Sequence, residues 1–418
     1  MKEYLCLGHF ERMKKIVIIG GGISGLAVLH YLKQRFKDYV EITLYERNSQ
    51  VGGTIGTLDF RGFLFETGPN GFLTNQPNTL EFLQEIGLAT ELIEANVSAK
   101  RRYIQLGGQL KLLPMDLVSF LKSDLLSNIQ KFRMFQGLFL RNTPKDQSIY
   151  DYTTKRFGVA VTERFVDPFL TGVYAGDIKS LHMQWAFPKM GSKNGKPKLY
   201  SFKNGMGSLI QHLSKKYAAN VKLESEINDF NQIEADIKIC CTPAYVAANL
   251  LKLDILKEIP YSPIAVIGLA FDKAAFKKIP DGFGYLIPST EGKDVLGVLL
   301  ESNVFERKTK ENQVFLRVML GGRHHPEILN LSKEQLLDKA IKELDQIYGL
   351  SAKPLGTAVK IWPQAIPQYE LNYPNIRQEL KKYLETTSSI YLCANYLDGI
   401  SFNDCIYNAK CVVNRISI

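Results

Sequence analysis

Residues 16–25 read IVIIGGGISG, a β-branched run that passes straight into Gly20-x-Gly22-x-x-Gly25. These residue types at this spacing suit a pyrophosphate. The first glycine permits a tight turn off a strand, the second lets backbone approach the phosphates, and the third lets helix and strand pack closely. A helix opening here would offer unpaired N–H groups and the positive end of its dipole to an anion. Leu26, Leu29, Leu32 and Phe36 are spaced for one face of that helix. A second strand, residues 40–45, ends in Glu46, about 20 residues past the last glycine, where a ribose-binding carboxylate belongs. The competing reading is a glycine-rich turn with no ligand. No Ser/His/Asp set and no carboxylate dyad stands out elsewhere.

The elements that must position this loop are legible at both ends of the chain. Residues 14–90 open like a nucleotide-binding α/β unit, with a short helix over 79–87 closed by Gly87. Residues 112–140 turn helical and rich in Leu, Phe and Met, punctuated by Lys122, Lys131, Arg133 and Arg141. A core-facing helical pair is the plainer reading, and an amphipathic surface touching lipid the alternative. Residues 148–165 read as one helix ended near Pro168, and 191–198 (GSKNGKPK) as a loop. Strands are expected at 221–223, 236–240, 265–271, 285–287, 295–300, 314–320 and 389–394, with helices at 333–348 and 403–415. The fold class is therefore α/β (α+β). A discontinuous Rossmann-like nucleotide domain (14–95, 200–250, 386–418) carries a helical insertion (96–199) and a mixed-sheet domain (251–385).

Composition narrows the function classes. The chain has 418 residues, 45% hydrophobic and 22% charged, enough for two or three domains. Its net charge of +10 suits an acidic substrate or an anionic surface. The Lys/Arg run ends at three residues, Lys100 to Arg102, so no nucleic-acid partner is expected. Cys6, Cys240, Cys241, Cys393, Cys405 and Cys411 form no CxxC pair, and the adjacent His324 and His325 are read as lacking metal-ligand partners nearby. No metal is expected, and the thiols read as buried and reduced. The first dozen residues are too polar for a signal peptide, and no run nears the ~20 apolar residues of a membrane span. A cytoplasmic location follows, with peripheral contact to the cytoplasmic face of a membrane left open.

Further motifs shift the reading from a nicotinamide to a flavin. Glu46-Arg47 is followed by Val51-Gly52-Gly53-Thr54, and residues 393–409 (CANYLDGISFNDCIYNA) read as a strand, a Gly399 turn and a second helix N-terminus. Together these ends resemble the FAD-containing amine oxidase and desaturase superfamily. Other stretches resemble the oxygen-dependent protoporphyrinogen oxidases within it. They are Glu66-Thr67-Gly68-Pro69-Asn70-Gly71; Arg102-Tyr103 with Leu106-Gly107-Gly108 and Leu113-Pro114; Asp167-Pro168-Phe169; Gly172 to Asp177; Phe202 to Met206; and Trp362-Pro363 with Ile366 to Tyr369. Ala394 and Asn204 stand where that family has glycine, and Asn408-Ala409 where it has Ser-Gly.

The resemblance implies FAD held by Gly20, Gly21, Gly22, Ile23, Ser24, Gly25, Glu46, Arg47, Thr54, Gly68, Pro69, Asn70, Gly71, Val221, Trp362, Ala394, Ile400, Ser401 and Phe402. It implies a porphyrinogen bound by Arg102 at a propionate, by apolar Leu286, Leu299 and Met319, and by the backbone of Gly172. The bland readings are a surface arginine, core strand residues and a tight turn. The implied reaction oxidises protoporphyrinogen IX with dioxygen, releases hydrogen peroxide, and could hand its product to a ferrochelatase. Coproporphyrinogen III is the rival substrate, favoured by Lys100-Arg101-Arg102 and the net charge. An amine oxidase or desaturase activity, or a flavin-binding protein without catalysis, are the readings from other classes.

Overall fold

The computed structural model describes residues 12–139, 146–187, 197–307 and 312–418. Cys6, the first eleven residues, Leu140, Arg141 and positions 191–196 of the expected loop lie outside them. A five-stranded parallel sheet holds the glycine motif. Its order is Val221–Lys222, Val40–Tyr45, Lys14–Ile19, Ile237–Cys240, Ile390–Leu392. The strand Lys14–Ile19 is apolar on both faces because it is buried on both. Ile16 and Ile18 enter one core, Val17 and Ile19 another. Helices Ile23–Phe36 and Phe402–Arg415 cover the first of these faces. The strands beside Lys14–Ile19 come from opposite ends of the connection order, so the crevice at its carboxyl end is a switch point where ligands sit.

A seven-stranded mixed sheet forms the second body. Its order is Gly356–Pro367, Tyr261–Asp272, Gln313–Gly321, Val295–Leu299, Gly284–Leu286, Arg102–Leu106, Gln109–Leu112. Neighbours are antiparallel except Gly284–Leu286 and Arg102–Leu106, which run parallel. Alternate residues Tyr285, Val298, Val318 and Ile267 pack beneath the helix Lys333–Tyr348, through Leu336, Ala340 and Leu344. The opposite face looks away from that helix. Residues 102–112 thus join this sheet rather than the helical segment at 96–199. Backbone pairing of Arg102 with Gly284 and of Ile104 with Leu286 draws them in.

The helical segment differs from expectation in two ways. The stretch 148–165 is not one helix. It runs as Ile149–Phe157, breaks at Gly158 (φ +93°), and continues through one wide turn, Thr162–Val166, into Asp167–Tyr174. Pro168 opens this last helix instead of ending the first. The turn ahead of it is already helical and widened, and this irregular spacing accommodates a residue without an N–H. Gly172 therefore lies within a helix and not in a tight turn. The core-facing pair expected over 112–140 is also overturned. Helices Leu117–Lys122 and Asn128–Phe139 leave Leu117, Val118, Leu121, Ile129, Phe132, Leu138 and Phe139 exposed. Among the described residues no helix is long and apolar enough to cross a membrane.

Candidate active site

The glycine motif is built by close backbone approach. Gly20 has φ +103°, and a Cβ on it would stand 2.9 Å from the Cys241 carbonyl oxygen. A Cβ on Gly25 would be driven into the Gly20 carbonyl. The Gly21 N–H donates to Glu46 Oε2 at 2.7 Å, while Glu46 Oε1 accepts from the Asn48 backbone (2.9 Å) and side chain (2.6 Å). Buried Glu46 is thereby fixed at the end of its strand. Arg47 beside it is exposed, and Val221 is half-buried, paired with Leu44. The second glycine turn closes on the first. Gly52 (φ +123°) donates its N–H to the Gly21 carbonyl at 2.8 Å. Exposed Thr54 follows, its carbonyl packed against Gly68.

Gly22 behaves differently from its neighbours. A Cβ there would meet nothing within 4 Å, and no side chain caps the helix that begins at Ile23. The N–H groups of its first turn have no side-chain acceptor among the described residues, the arrangement an anion requires. Ser24 is buried with its side chain against Cys405, so its backbone is what it offers.

Residues 66–71 run from the hairpin strand Phe63–Glu66 to the short strand Phe72–Leu73. Gly68 fits only because it has no side chain, since a Cβ would enter the Thr54 carbonyl oxygen. A Cβ on Gly71 would stand 2.5 Å from the Tyr200 carbonyl. Pro69 is half-buried, and the Nδ2 of half-buried Asn70 is sequestered with no partner among the described residues. Trp362 Nε1 donates to the Thr67 carbonyl at 2.7 Å. Glu66 is fully buried. It accepts from Thr57 Oγ1 (2.6 Å) and the Met206 N–H (3.1 Å) and pairs with Arg307 at 3.1 Å. Burial nevertheless raises its carboxyl above the ordinary range, with Arg307 and Thr57 pulling the other way.

The C-terminal motif is partly self-satisfied. Ser401 and Asp404 form a capping box, so the Asp404 N–H is taken by the Ser401 hydroxyl at 3.1 Å. The second helix terminus retains fewer open donors than expected. Gly399 (φ +120°) leaves no room for a Cβ beside the Asp404 carboxylate. Asn403 is a lock, donating to the Leu73 carbonyl (2.6 Å) and Asn75 (2.8 Å) and accepting from Thr79 (2.7 Å). Phe402 packs on Phe72, Ile400 is half-buried, and the Ala394 methyl is absorbed into the core.

Cross-strand register gathers the proposed substrate residues. Arg102, Gly284, Leu299 and Arg317 are successive neighbours across four strands. Leu286, Gly297 and Met319 form the next row, two residues along, so both rows share the face away from the helix Lys333–Tyr348. A Cβ on Gly172 would touch Leu286 at 3.0 Å, which places the end of its helix over this row. Asp167, at that helix's start, accepts from the Ser289 N–H at 2.7 Å and fixes it there. Met319 and Leu286 are half-buried, and Leu299 is buried.

The two adjacent arginines part company. Arg101 pairs with Asp281 at 2.7 Å on the surface. Arg102 stacks over Phe283, 4.7 Å from the ring centre, and has no carboxylate partner among the described residues. Partial loss of hydration lowers its pKa from the usual guanidinium value.

Sequence reasoning missed Arg317. It is buried, ion-paired to Glu301 at 3.2 Å, and donates to the carbonyls of Glu66 (2.9 Å) and Gly68 (2.7 Å). The available signal was one arginine inside the apolar run 314–320. A second surprise is that His325 does have acidic neighbours, Asp294 (3.3 Å) and Glu327 (3.0 Å). Asp294 is already neutralised by Lys339, so the group makes a poor cation site. Among the described residues Cys240, Cys241, Cys393, Cys405 and Cys411 are free thiols.

Residues 23–417 match the family model of flavin containing amine oxidoreductases. The chain belongs to that family. It is 26% identical to a protoporphyrinogen oxidase of Dictyostelium discoideum, over 97% of this chain and 99% of the relative. It is 28% identical to chloroplastic protoporphyrinogen oxidase 1 of Arabidopsis thaliana, over 94% and 86%. It is 24% identical to a coproporphyrinogen III oxidase of Bacillus subtilis, over 96% and 97%. In fold it resembles the crystal structure of a candidate protoporphyrinogen oxidase from an Exiguobacterium species. That match has a TM-score of 0.82 at 23% identity and covers 96% of this chain and 98% of the other.

A flavin suits this family member on two local grounds. The space above Gly22 is a cradle that a single methyl would obstruct, and the orphan Asn70 amide is a donor awaiting an acceptor. Glu46, held by the Gly21 N–H at 2.7 Å, adjoins the first of these.

Proposed function

We propose that the protein is an FAD-dependent oxidase of protoporphyrinogen IX in porphyrin biosynthesis, with dioxygen as acceptor and hydrogen peroxide as by-product. The relatives named above support the substrate class. The observation that carries the reading is the unpaired guanidinium of Arg102 at the end of an apolar face that leads back to the flavin turn. FAD, when bound, supplies the capacity to accept hydride from a bridging carbon and to be reoxidised by dioxygen. Removal of six electrons uses three dioxygen molecules and yields three of peroxide.

The chain's own residues bind, orient and shield. The N–H groups opening Ile23–Phe36 would hold the pyrophosphate, Glu46 the ribose, and Thr54, Gly68 to Gly71 and Trp362 the isoalloxazine region. Arg47, Val221, Ala394 and Ile400 to Phe402 would complete the cofactor's surroundings. Arg102 would take a propionate through a planar, charge-assisted contact. Leu286, Leu299 and Met319 would wall a large apolar disc and keep water out. The carbonyl of Gly172, in the last turn of its helix where carbonyls lack intrahelical donors, would accept pyrrole N–H groups.

Coproporphyrinogen III is the second reading, since it has four propionates and the chain is basic. Engagement of Arg101 by Asp281 leaves fewer open cations at this rim and weighs against it. The exposed apolar residues of 117–139, with Phe169 and Val173 on the helix of Gly172, suit peripheral contact with a lipid surface near the substrate entrance. An apolar product leaving there would pass to an enzyme that inserts iron into the macrocycle.

The test compares product fluorescence from the two porphyrinogens under air, with peroxide scored by catalase. The purified protein should carry flavin and turn over protoporphyrinogen faster. Arg102→Ala should raise its KM on the order of 10-fold or more, the worth of one charged hydrogen bond, with flavin content unchanged. A colourless protein, or faster turnover of coproporphyrinogen, overturns the proposal.

A further inference from the structure

Glu66, Thr67 and Gly68 present three consecutive backbone carbonyls, and all three are held by side chains of the large sheet. Arg317 Nη1 takes those of Glu66 (2.9 Å) and Gly68 (2.7 Å), and Trp362 Nε1 takes that of Thr67 (2.7 Å). The two donors stand on the strands flanking Tyr261–Asp272. On its far side the segment lies against the Thr54 carbonyl, with no space even for a Cβ at Gly68. Arg317 is ion-paired with Glu301 at 3.2 Å, and both side chains are more than nine-tenths buried. On the same strand, Met319 lies two residues on, and Leu299 is the cross-strand neighbour of Arg317. One buried guanidinium thus joins the turn assigned to the flavin and the wall assigned to the substrate.

We infer that Arg317, seconded by Trp362, is a positioning residue that sets the distance and tilt between flavin and porphyrinogen. The inference rests on the flavin oxidase reading above. A buried ion pair is a weak source of stability compared with well-packed apolar side chains. Holding geometry is the better account of a charge placed here, because hydride transfer falls off steeply with misplacement of the reacting atoms. Neither residue need touch the reacting carbon.

Two variants of the holoenzyme test this. Trp362→Phe keeps a ring and removes the donor. Arg317→Met combined with Glu301→Gln removes the donor without stranding a buried carboxylate. Each should lower kcat on the order of 10- to 100-fold while KM for protoporphyrinogen moves by less than about threefold. Bound FAD should stay stoichiometric with shifted visible absorption bands. Joining the two sets should cost little beyond the larger single loss, because both act on one strap of backbone. Unchanged kcat and spectrum, losses that multiply as for independent sites, or FAD lost in step with activity would each overturn the inference. If the Arg317 variant does not fold, the kcat and spectrum of Trp362→Phe decide alone. If the unaltered protein oxidises no porphyrinogen, the functional reading has failed, and the band shift and FAD dissociation constant of the variants still judge the clamp.

Discussion

Glycines of one motif do different work, and the structure separates them. Gly22 has φ −69° with open space beside it, so an alanine fits the backbone and fills only the cradle. Gly25 has the Gly20 carbonyl where its Cβ would go. Gly22→Ala should therefore leave the melting transition of the apoprotein within about 0.5 kcal/mol of the parent yet abolish flavin binding. Gly25→Ala should destabilise the fold itself by roughly 1–3 kcal/mol through overpacking. Flavin absorbance and thermal melts of both variants check this, and full yellow colour in Gly22→Ala would count against the cradle. The spacing of these glycines was plain in the sequence. So was their division into turn, phosphate-facing and packing positions, but the groups that crowd Gly20 and Gly21 were not, because Cys241 and Val51 approach from elsewhere in the chain.

Helix contacts make one pH-sensitive joint. His30, on Ile23–Phe36, is buried with Nδ1 2.7 Å from the Tyr217 hydroxyl and Nε2 3.0 Å from Glu85 Oε2. It therefore ties the glycine-motif helix to the helix Pro77–Ile86 and to the segment after Gly207–Lys216. Burial lowers its pKa from 6.5, although Glu85 pulls upward. The unfolded chain then takes up a proton before the folded one does. This contribution to stability is complete above pH 6.5 and is lost as pH falls from there through the lower folded value. His30→Leu should cost about 1–3 kcal/mol at neutral pH, by orphaning the Tyr217 hydroxyl. It should also flatten the decline of stability between neutral and mildly acid pH. Denaturant melts across that range would show an unchanged slope if His30 plays no part. The apolar spacing of Leu26, Leu29 and Leu32 was readable, but the pairing of His30 was not, because its partners lie 55 and 187 residues away.

At the scale of the molecule, a nucleotide sheet assembled from both ends of the chain is tied to a seven-stranded sheet by the 66–68 segment. The helical segment beyond presents apolar residues to solvent. Exposed Leu117, Ile129, Phe132 and Phe139, with Lys122 and Arg133 among them, suit an anionic lipid surface more than a neutral one. The protein should sediment with vesicles containing phosphatidylserine, less so at high salt. Changing those four apolar residues to serine should reduce binding on the order of 10-fold or more, each buried side chain being worth about 1.5 kcal/mol or greater, with soluble flavin content unaltered. Equal partitioning of parent and variant would rule this surface out.

Legible from residue order alone were the phosphate loop, the acidic residue after the second strand, the strand and helix periods of the large sheet, and the glycine turn before the last helix. All of these are local patterns with local causes: φ > 0 turns, period-2 and period-3.6 burial, and capping. Long-range contacts were needed to show that residues 102–112 pair into the large sheet, that Gly172 lies near the end of a helix over Leu286, and that Arg101 is spent on Asp281 while Arg102 is left open. They alone brought Arg317 onto the carbonyls of Glu66 and Gly68, some 250 residues distant. The reason is physical. Register and hydrogen-bond partners across a sheet are fixed by which strands meet, and one chain's local pattern does not name its neighbours.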